Sequence, residues 1–317
     1  MCSFWKNKST GELTTAEMYD VLSQLREVGV RRIAFAGGEP LLRDDLSLLI
    51  RKARDLKFEK ILIMTNGLLW NERKARGFLE NGLNRVSLSI DGVGDANDMQ
   101  RGIKGSYKKS METLSLLTNL RNKEFGNLDI EVATTLTQIT LDSIPELLKI
   151  CKEFKVSCII QILEMTSFWS RSLNLSNITI KNKEIIDTMI DRFHYMKKGG
   201  YPISIIFSHL ALEYTRHYLK GDGLPRFFPH VPCTAGLTAV YVNAHGKVYP
   251  GCWAMPPIGD LREKRLKEII YSPEYKATLK QIFLKQCPGC PNGYIWSEWY
   301  YVPAVFREGL YRLQLTK

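Results

Sequence analysis

Four cysteines in the last third of the chain have a spacing suited to binding a metal centre. Cys287 and Cys290 are separated by two residues, so a tight turn brings both thiolates to one metal. Cys233 and Cys252 flank a predicted β-hairpin at 239–249, whose open end brings them together. Four thiolates can bind zinc or an iron–sulfur cluster, and the spacing does not distinguish the two. Four unrelated structural cysteines are the remaining interpretation.

A second chemical feature follows the apolar run at 31–36, which predicts a short buried strand. Gly37 and Gly38 let the backbone bend sharply and approach a ligand closely. Glu39 places a carboxylate at that bend, and Pro40 fixes the direction in which the chain leaves it. A carboxylate just past a strand end can hold the amine of a cationic ligand. The alternative is a strand-to-helix turn with a solvated glutamate.

The start of the chain, taken together with this Gly-Gly-Glu-Pro stretch, resembles the radical S-adenosylmethionine (SAM) superfamily. In that family a Cys-x3-Cys-x-hydrophobic-Cys loop binds a 4Fe-4S cluster, and a Gly-Gly-Glu-Pro-like stretch holds the SAM amine. Cys2 matches the third cysteine and Met1 the hydrophobic position before it. The resemblance implies that the reading frame extends upstream into a strand and the first two cysteines. As given, the chain is expected to bind at most the auxiliary cluster described next and not to cleave SAM.

The C-terminal cysteines resemble the extension called SPASM, in its shortened four-cysteine form called twitch. The match is the pattern Cys-x12-Gly-x5-Cys from Cys233 through Gly246 to Cys252, followed by Cys287-x2-Cys290. The spacing after Gly246 is one residue longer than usual because of Gly251. The resemblance implies an auxiliary 4Fe-4S cluster on these four cysteines.

Five further residues match positions at which the family contacts SAM. Asn66 follows the strand after the Glu39 loop, and Ser89 and Asp91 end the next strand. Arg101 lies in a glycine-rich loop similar to one in SPASM-containing relatives, and Thr135 lies on the following strand. The resemblance implies that these five residues bind SAM together with the Gly-Gly-Glu-Pro stretch. Ordinary capping of strand ends is the alternative.

The elements that must position these residues alternate between strand and helix. Apolar runs predict strands at 31–36, 60–65, 85–90, 129–136, 156–163 and 201–207. Capping-box patterns at 14–17 and 143–146 predict two of the helix starts. Nearly continuous apolar strands separated by helices indicate a parallel sheet, and either a β/α barrel or a doubly wound sheet fits. The resemblance favours a partial (β/α)6 TIM-like barrel of parallel strands followed by a small cysteine-rich α+β domain.

The change of composition after residue 220 predicts a domain boundary. Pro225, Pro229 and Pro232 precede the first cysteine of the C-terminal group. We therefore predict a radical SAM core at 1–221 and an auxiliary-cluster domain at 222–317.

Composition and charge limit the protein class. The net charge is +11, but the basic residues are dispersed among acidic ones, which favours a solvated surface over nucleic-acid binding. The chain has no uncharged apolar run of about 18 residues and no visible signal peptide, so we expect a cytoplasmic protein without a membrane partner. Seven cysteines fit clusters better than disulfides, and Cys151 and Cys158 fit buried core thiols.

Together these features predict an enzyme that cleaves SAM to a 5′-deoxyadenosyl radical and abstracts hydrogen from a substrate. Relatives with the extension often modify peptides or proteins, which is the first expectation for the substrate, and a small molecule of cofactor biosynthesis is the second. An electron donor such as flavodoxin or ferredoxin is implied. The alternative is an inactive SAM-barrel binding protein with structural zinc on the C-terminal cysteines. No Ser/His/Asp set suggests hydrolysis, and no Gly-x4-Gly-Lys-Ser/Thr stretch suggests a nucleoside triphosphate site.

Overall fold

The structure of the protein is a computed structural model. It describes residues 10–163, 175–203, 209–221, 233–284 and 286–287. Two of the predicted cluster ligands, Cys2 and Cys290, lie outside these residues, as do residues 204–207 of the last predicted strand.

Five parallel strands form the main sheet. In chain order they are β1 (Arg32–Phe35), β2 (Lys60–Thr65), β3 (Arg85–Ser89), β4 (Asp129–Leu136) and β5 (Ser157–Ile162). Each strand pairs with the next one along the chain. A doubly wound sheet would reverse the strand order at a switch point, whereas a β/α barrel keeps winding in one direction. The observed order is therefore that of a barrel, and β1 is an open edge within the described residues.

Eight helices alternate with these strands or follow them. They are α1 (Thr15–Glu27), α2 (Leu46–Asp55), α3 (Glu72–Glu80), α4 (Asp95–Arg101), α5 (Ser106–Lys123), α6 (Ile144–Glu153), α7 (Lys183–Lys198) and α8 (His209–Lys220). The apolar stripe of α2 shows why they pack on the sheet: Leu49, Ile50 and Ala53 recur at helical spacing and are fully buried. Burying side chains such as Leu49 and Ile50 contributes roughly 1.5–3 kcal/mol each.

The first five predicted strands and both predicted helix starts are confirmed, but one of the two predicted caps is not. Thr14 and Glu17 form the predicted capping box at the start of α1. Ser143 precedes α6 but makes no side-chain cap. Its hydroxyl instead donates to the Thr140 carbonyl and accepts the Val93 N–H. The second capping-box prediction is wrong because these contacts occupy the hydroxyl.

The sheet continues beyond β5 in the described residues. Ile203 forms a parallel bridge with Cys158, and the Cys158 N–H donates to the Pro202 carbonyl at 2.7 Å. This contact lies at the start of the last predicted strand. Cys151 and Cys158 are both fully buried, as predicted for core thiols.

A small antiparallel sheet with short helices forms the C-terminal part. Its elements are α9 (Ala235–Thr238), β6 (Tyr241–Val242), β7 (Lys247–Tyr249), β8 (Gly259–Asp260), α10 (Leu266–Ile270) and α11 (Pro273–Phe283). The predicted hairpin is confirmed as β6 and β7, which β8 extends to three strands. Ser272 caps α11 and Pro273 is its first residue, which explains the break between α10 and α11. None of the helices in the described residues is both long and apolar enough to cross a membrane.

Candidate functional site

The Gly-Gly-Glu loop follows β1 at the carboxyl edge of the sheet. Gly37 has φ of 139°, and Gly37 and Gly38 are exposed, with open space where a Cβ would lie. Glu39 is extended and begins a short 3₁₀ turn at Pro40–Leu42, where its carboxylate accepts the Leu41 N–H at 3.2 Å. The loop therefore presents bare backbone to the solvent directly before an anchored carboxylate.

The Glu39 carboxylate also joins the ends of two strands. Its Oε1 accepts the Thr65 hydroxyl and its Oε2 accepts the Asn66 N–H, both at 2.8 Å. Together with Leu41, three of the roughly four acceptor positions of the carboxylate are filled. Glu39 is only half-buried, so its carboxylate can still receive a cationic group from the solvent.

Asn66 lies where β2 ends, as predicted, and its side chain shapes the loop that follows. Its Oδ1 accepts the Leu68 N–H at 2.9 Å, and its carbonyl accepts the Ser110 hydroxyl at 2.9 Å. Gly67 has φ of +82°, and a Cβ there would come within 2.6 Å of the Leu88 side chain. The β2 end is thus held against α5 and β3, beside Glu39.

Three of the predicted residues come together at the ends of β3 and β4. Asp91 is fully buried, and its Oδ1 accepts the Thr135 N–H at 2.7 Å. Its Oδ2 lies 2.7 Å from Arg101 Nε, although the N–H is not well directed toward the oxygen. Burial raises the pKa of Asp91, and the charge of Arg101 opposes that rise. Ser89, the last residue of β3, is half-buried and pairs in register with Ala133.

Two polar residues of α4 that the sequence analysis did not single out join this helix to the ends of β3 and β4. Gln100 donates to the Thr135 carbonyl at 3.1 Å and accepts the Thr137 hydroxyl at 2.6 Å. Asn97 accepts the Asp91 N–H at 2.9 Å. Asn97, Gln100 and Arg101 share one helix face at spacings of three and four residues, and that polar spacing is the signal that could have found them.

The loop between α4 and α5 is closed by Asp98. Its Oδ1 accepts the Ser106 hydroxyl at 2.8 Å and the Tyr107 N–H at 2.7 Å, and its Oδ2 accepts the Gly105 N–H. These bonds lower the pKa of Asp98, the Tyr107 N–H being the largest cause. Asp98 therefore orders the loop that immediately follows Arg101.

The second candidate site comprises the C-terminal cysteines. Cys233, Cys252 and Cys287 are of intermediate exposure and form no disulfide among the described residues, and Cys290 lies outside those residues. The pKa of Cys252 is raised to about 11, chiefly by burial and to a smaller extent by the nearby Cys287 and Cys233. The backbone N–H groups of Ala254 and Met255 donate to the Cys252 sulfur, and these bonds lower its pKa. Thiols that influence one another electrostatically, with N–H groups directed at one sulfur, are the donor chemistry of an iron–sulfur cluster.

Gly251 explains the additional residue before Cys252. It has φ of +65°, and a Cβ there would lie 2.4 Å from the Ala235 carbonyl oxygen and 2.6 Å from that of Ala239. Only glycine allows this approach, which brings α9 beside Cys252. Cys233 is joined to the end of α11 because its N–H donates to the Phe283 carbonyl.

The described C-terminal thiols do not form a closed metal-binding group. Within the described part of the chain, no group of three His, Cys, Asp or Glu side chains is arranged closely enough to hold a metal ion. The predicted set includes Cys290, so the described residues contain only three of its four thiols. What the structure provides is the donor chemistry and the approach of Cys233, Cys252 and Cys287.

Sequence comparison gives two family matches. The model of the Radical SAM superfamily matches residues 1–149. The model of SPASM, an iron–sulfur cluster-binding domain, matches residues 233–291. The second match contains all four C-terminal cysteines and favours an iron–sulfur cluster over zinc.

Curated relatives differ in the substrates that their names imply. The chain is 31% identical over 274 residues to the AdoMet-dependent heme synthase of Nitratidesulfovibrio vulgaris, covering 84% of this chain and 72% of that protein. It is 25% identical over 259 residues to the sporulation killing factor maturation protein SkfB of Bacillus subtilis, covering 81% of this chain and 57% of SkfB. The first name points to a small molecule and the second to a peptide or protein.

A solved structure supports the fold. The crystal structure of Streptococcus suis SuiB bound to S-adenosylmethionine superposes with a TM-score of 0.62 at 17% identity, covering 88% of this chain and 62% of SuiB. The chain thus spans somewhat less than two thirds of the length of SuiB.

Proposed function

Because the chain belongs to the radical SAM superfamily and carries a SPASM domain, we propose that the protein cleaves SAM reductively and modifies a peptide or protein by hydrogen abstraction. When bound, a 4Fe-4S cluster beside SAM would supply the one electron that cleaves the sulfonium C–S bond, with methionine and a 5′-deoxyadenosyl radical as the products. The observation that carries the proposal is the Glu39 carboxylate, which is anchored to the ends of β1 and β2 and still reachable from the solvent.

In this proposal Glu39 accepts a hydrogen bond from the SAM amine. Its bonds from Thr65 and Asn66 fix the orientation of the carboxylate before the ligand arrives, which reduces the ordering cost of binding. Gly37 and Gly38 allow the ligand to approach the backbone, because neither carries a Cβ that would fill that space. Pro40 directs the chain away from the ligand.

On the β3 and β4 side of the same edge, Arg101 faces the ligand and Asp91 orients it. Asp91 is fully buried, so its carboxylate acts through Arg101 and the Thr135 N–H. Arg101 is partly exposed and can donate to the SAM carboxylate or ribose. Asn66 and Ser89 complete the polar lining at the ends of β2 and β3.

Cys2 and the C-terminal cysteines are the proposed cluster ligands. Cys2 would serve the SAM-binding cluster, and Cys233, Cys252, Cys287 and Cys290 the auxiliary one. Thiols must lose their protons to bind iron, and the raised pKa of Cys252 means that cluster binding there releases a proton at neutral pH. The auxiliary cluster would accept an electron from the substrate radical or shape the substrate pocket.

The similarity to SkfB supports the choice of a peptide substrate. A small-molecule substrate is the second candidate, favoured by the higher identity to a heme synthase. An acidic one-electron donor of the flavodoxin or ferredoxin class is the proposed partner, since the chain carries a net charge of +11.

The test uses the protein expressed from its complete reading frame, purified without oxygen and reduced with dithionite in the presence of SAM. We expect 5′-deoxyadenosine and methionine in equal amounts, measured by liquid chromatography and mass spectrometry. Peptides from cells grown on deuterated amino acids then test the substrate class, because an abstracted deuterium appears in 5′-deoxyadenosine. Unlabelled peptides are the control, and a tetrapyrrole is the competing substrate. Product no higher than in a reaction without protein would refute the proposal.

A further inference from the structure

The segment just before α1 is held by the C-terminal part of the chain. The Leu13 N–H donates to the Ala244 carbonyl at 2.7 Å, and the Leu13 side chain is buried. Arg262 donates from Nη1 to the Gly11 carbonyl at 3.1 Å and from Nη2 to the Glu12 carbonyl at 3.4 Å. We call Arg262 together with the hairpin turn at 243–246 the clasp.

The clasp is also fixed to α1 itself. Arg262 Nε donates to Glu17 Oε1 at 2.9 Å, and this bond is the main cause that lowers the pKa of Glu17 to about 2. The ion pair therefore stays charged at physiological pH. Gly246 has φ of +85°, and a Cβ there would lie 3.4 Å from Leu13 Cδ2, so the turn packs directly on the held segment.

A second set of contacts connects the same segment to the loop that bears Glu39. Arg43, three residues after Pro40, donates from Nη1 to the Leu13 carbonyl at 3.0 Å. Arg43 also pairs with Asp45 through two bonds of 2.7 Å, and Asp45 accepts the Thr15 hydroxyl at 2.6 Å. Residues 11–13 are therefore held by the clasp on one side and by Arg43, which follows the Glu39 loop, on the other.

The C-terminal part is docked on α1 over a wider area than the clasp. Gln24 is buried and accepts the Leu266 N–H at 2.6 Å. Leu25 and Val28 pack against Leu266 and its apolar neighbours. The C-terminal part is therefore attached to α1 by contacts other than the clasp. The additional effect of the clasp is to hold residues 11–13, just before α1.

We propose that Arg262 is a positioning residue through which the C-terminal domain holds the Glu39 loop in its SAM-binding conformation. The inference rests on the proposed function, in which Glu39 accepts a hydrogen bond from the SAM amine. Arg262 holds the carbonyls of Gly11 and Glu12, and Arg43, three residues after Pro40, holds the next carbonyl, that of Leu13. A loop held in this way samples fewer conformations, which lowers the entropy cost of binding a ligand there.

The test compares three variants of the full-length protein. Arg262→Gln removes the charge and the fork of donors, and Arg262→Lys keeps the charge without the fork. Arg265→Gln is the matched control, because Arg265 pairs with Glu27 across the same interface at 3.0 Å and is similarly exposed. Peptide-level hydrogen exchange over residues 10–17, SAM affinity and the electron paramagnetic resonance spectrum of the reduced SAM-bound protein are measured. Total iron and the melting temperature serve as checks on cluster loading and folding.

We expect Arg262→Gln to speed exchange over 10–17 and to weaken SAM binding threefold to about tenfold. The resonance spectrum should change while total iron stays constant, Arg262→Lys should recover part of the effect, and Arg265→Gln should match the wild type. Two outcomes would overturn the inference and leave the proposed function intact. One is unchanged exchange over 10–17 in Arg262→Gln, and the other is faster exchange with unchanged SAM affinity and spectrum. A wild-type protein that binds no SAM would overturn the proposed function, and the inference with it.

Discussion

Replacing Glu39 by glutamine tests the proposed SAM site most directly. The variant keeps the size of the side chain and one carbonyl acceptor. It loses the negative charge. Its amide NH₂ is itself a donor, yet it must face another donor, either the Asn66 N–H or the Leu41 N–H. A hydrogen bond to a charged group contributes roughly 1.5–3 kcal/mol. Loss of that bond to the SAM amine corresponds to a roughly 10- to 150-fold weaker dissociation constant.

The same substitution carries a structural cost that has to be separated from the binding effect. One backbone N–H loses its acceptor, which costs about 1 kcal/mol, the lower end of the usual range, because Glu39 is half-exposed and water can replace the acceptor. Thr65→Val is the matched control. It removes the hydroxyl that donates to Glu39 and accepts the Gly67 and Trp70 N–H groups, but it leaves the carboxylate charged.

SAM affinity and the free energy of unfolding are measured for both variants. We expect Glu39→Gln to reduce affinity far more than stability, and Thr65→Val to reduce stability more than affinity. If Thr65→Val weakens SAM binding as much as Glu39→Gln does, the carboxylate serves only to join β1 and β2. Unchanged affinity in Glu39→Gln would refute its assignment to the SAM amine.

Three further predictions concern the other candidate residues. Gly251→Ala should lose about four iron atoms per chain, one cluster's worth, in an iron and sulfide assay, because its Cβ would overlap the Ala235 carbonyl oxygen. Cys252→Ala should lose the same four iron atoms in that assay, and stoichiometric zinc in the wild type would contradict the iron–sulfur assignment. Asp91→Asn should cost about 1–2 kcal/mol of stability in denaturant unfolding and weaken SAM binding, because partly exposed Arg101 loses its counter-charge.

The parts of the fold that depend on local pattern could be predicted from the sequence. Buried strands read as continuous apolar runs, and β2 and β4 have the bounds that those runs predict. The hairpin of β6 and β7 and the start of α11 at Ser272-Pro273 follow from turn and cap residues. Each of these signals lies within a few residues of the element it specifies, which is why the sequence alone was sufficient.

Features that depend on distant partners could not be predicted in the same way. Ser143 has the residue type and spacing of a cap, but Val93, fifty residues earlier, occupies its hydroxyl. The role of Gln100 depends on Thr135 and Thr137, which reach it only because β4 ends beside α4. Tertiary contacts of this kind compete with local propensity for the same donors and acceptors.

The candidate site residues stabilise the fold in addition to their proposed roles in binding. Glu39 joins β1 to β2, and Asp91 joins β4 to α4 through the Thr135 N–H and Arg101. Polar groups at the carboxyl edge of a barrel must be hydrogen-bonded before a ligand arrives, since unpaired buried groups are costly. Those bonds also give the groups the fixed orientation that tight binding requires. Loss of activity in a variant at this edge therefore has two physical sources, and only paired measurements of affinity and stability separate them.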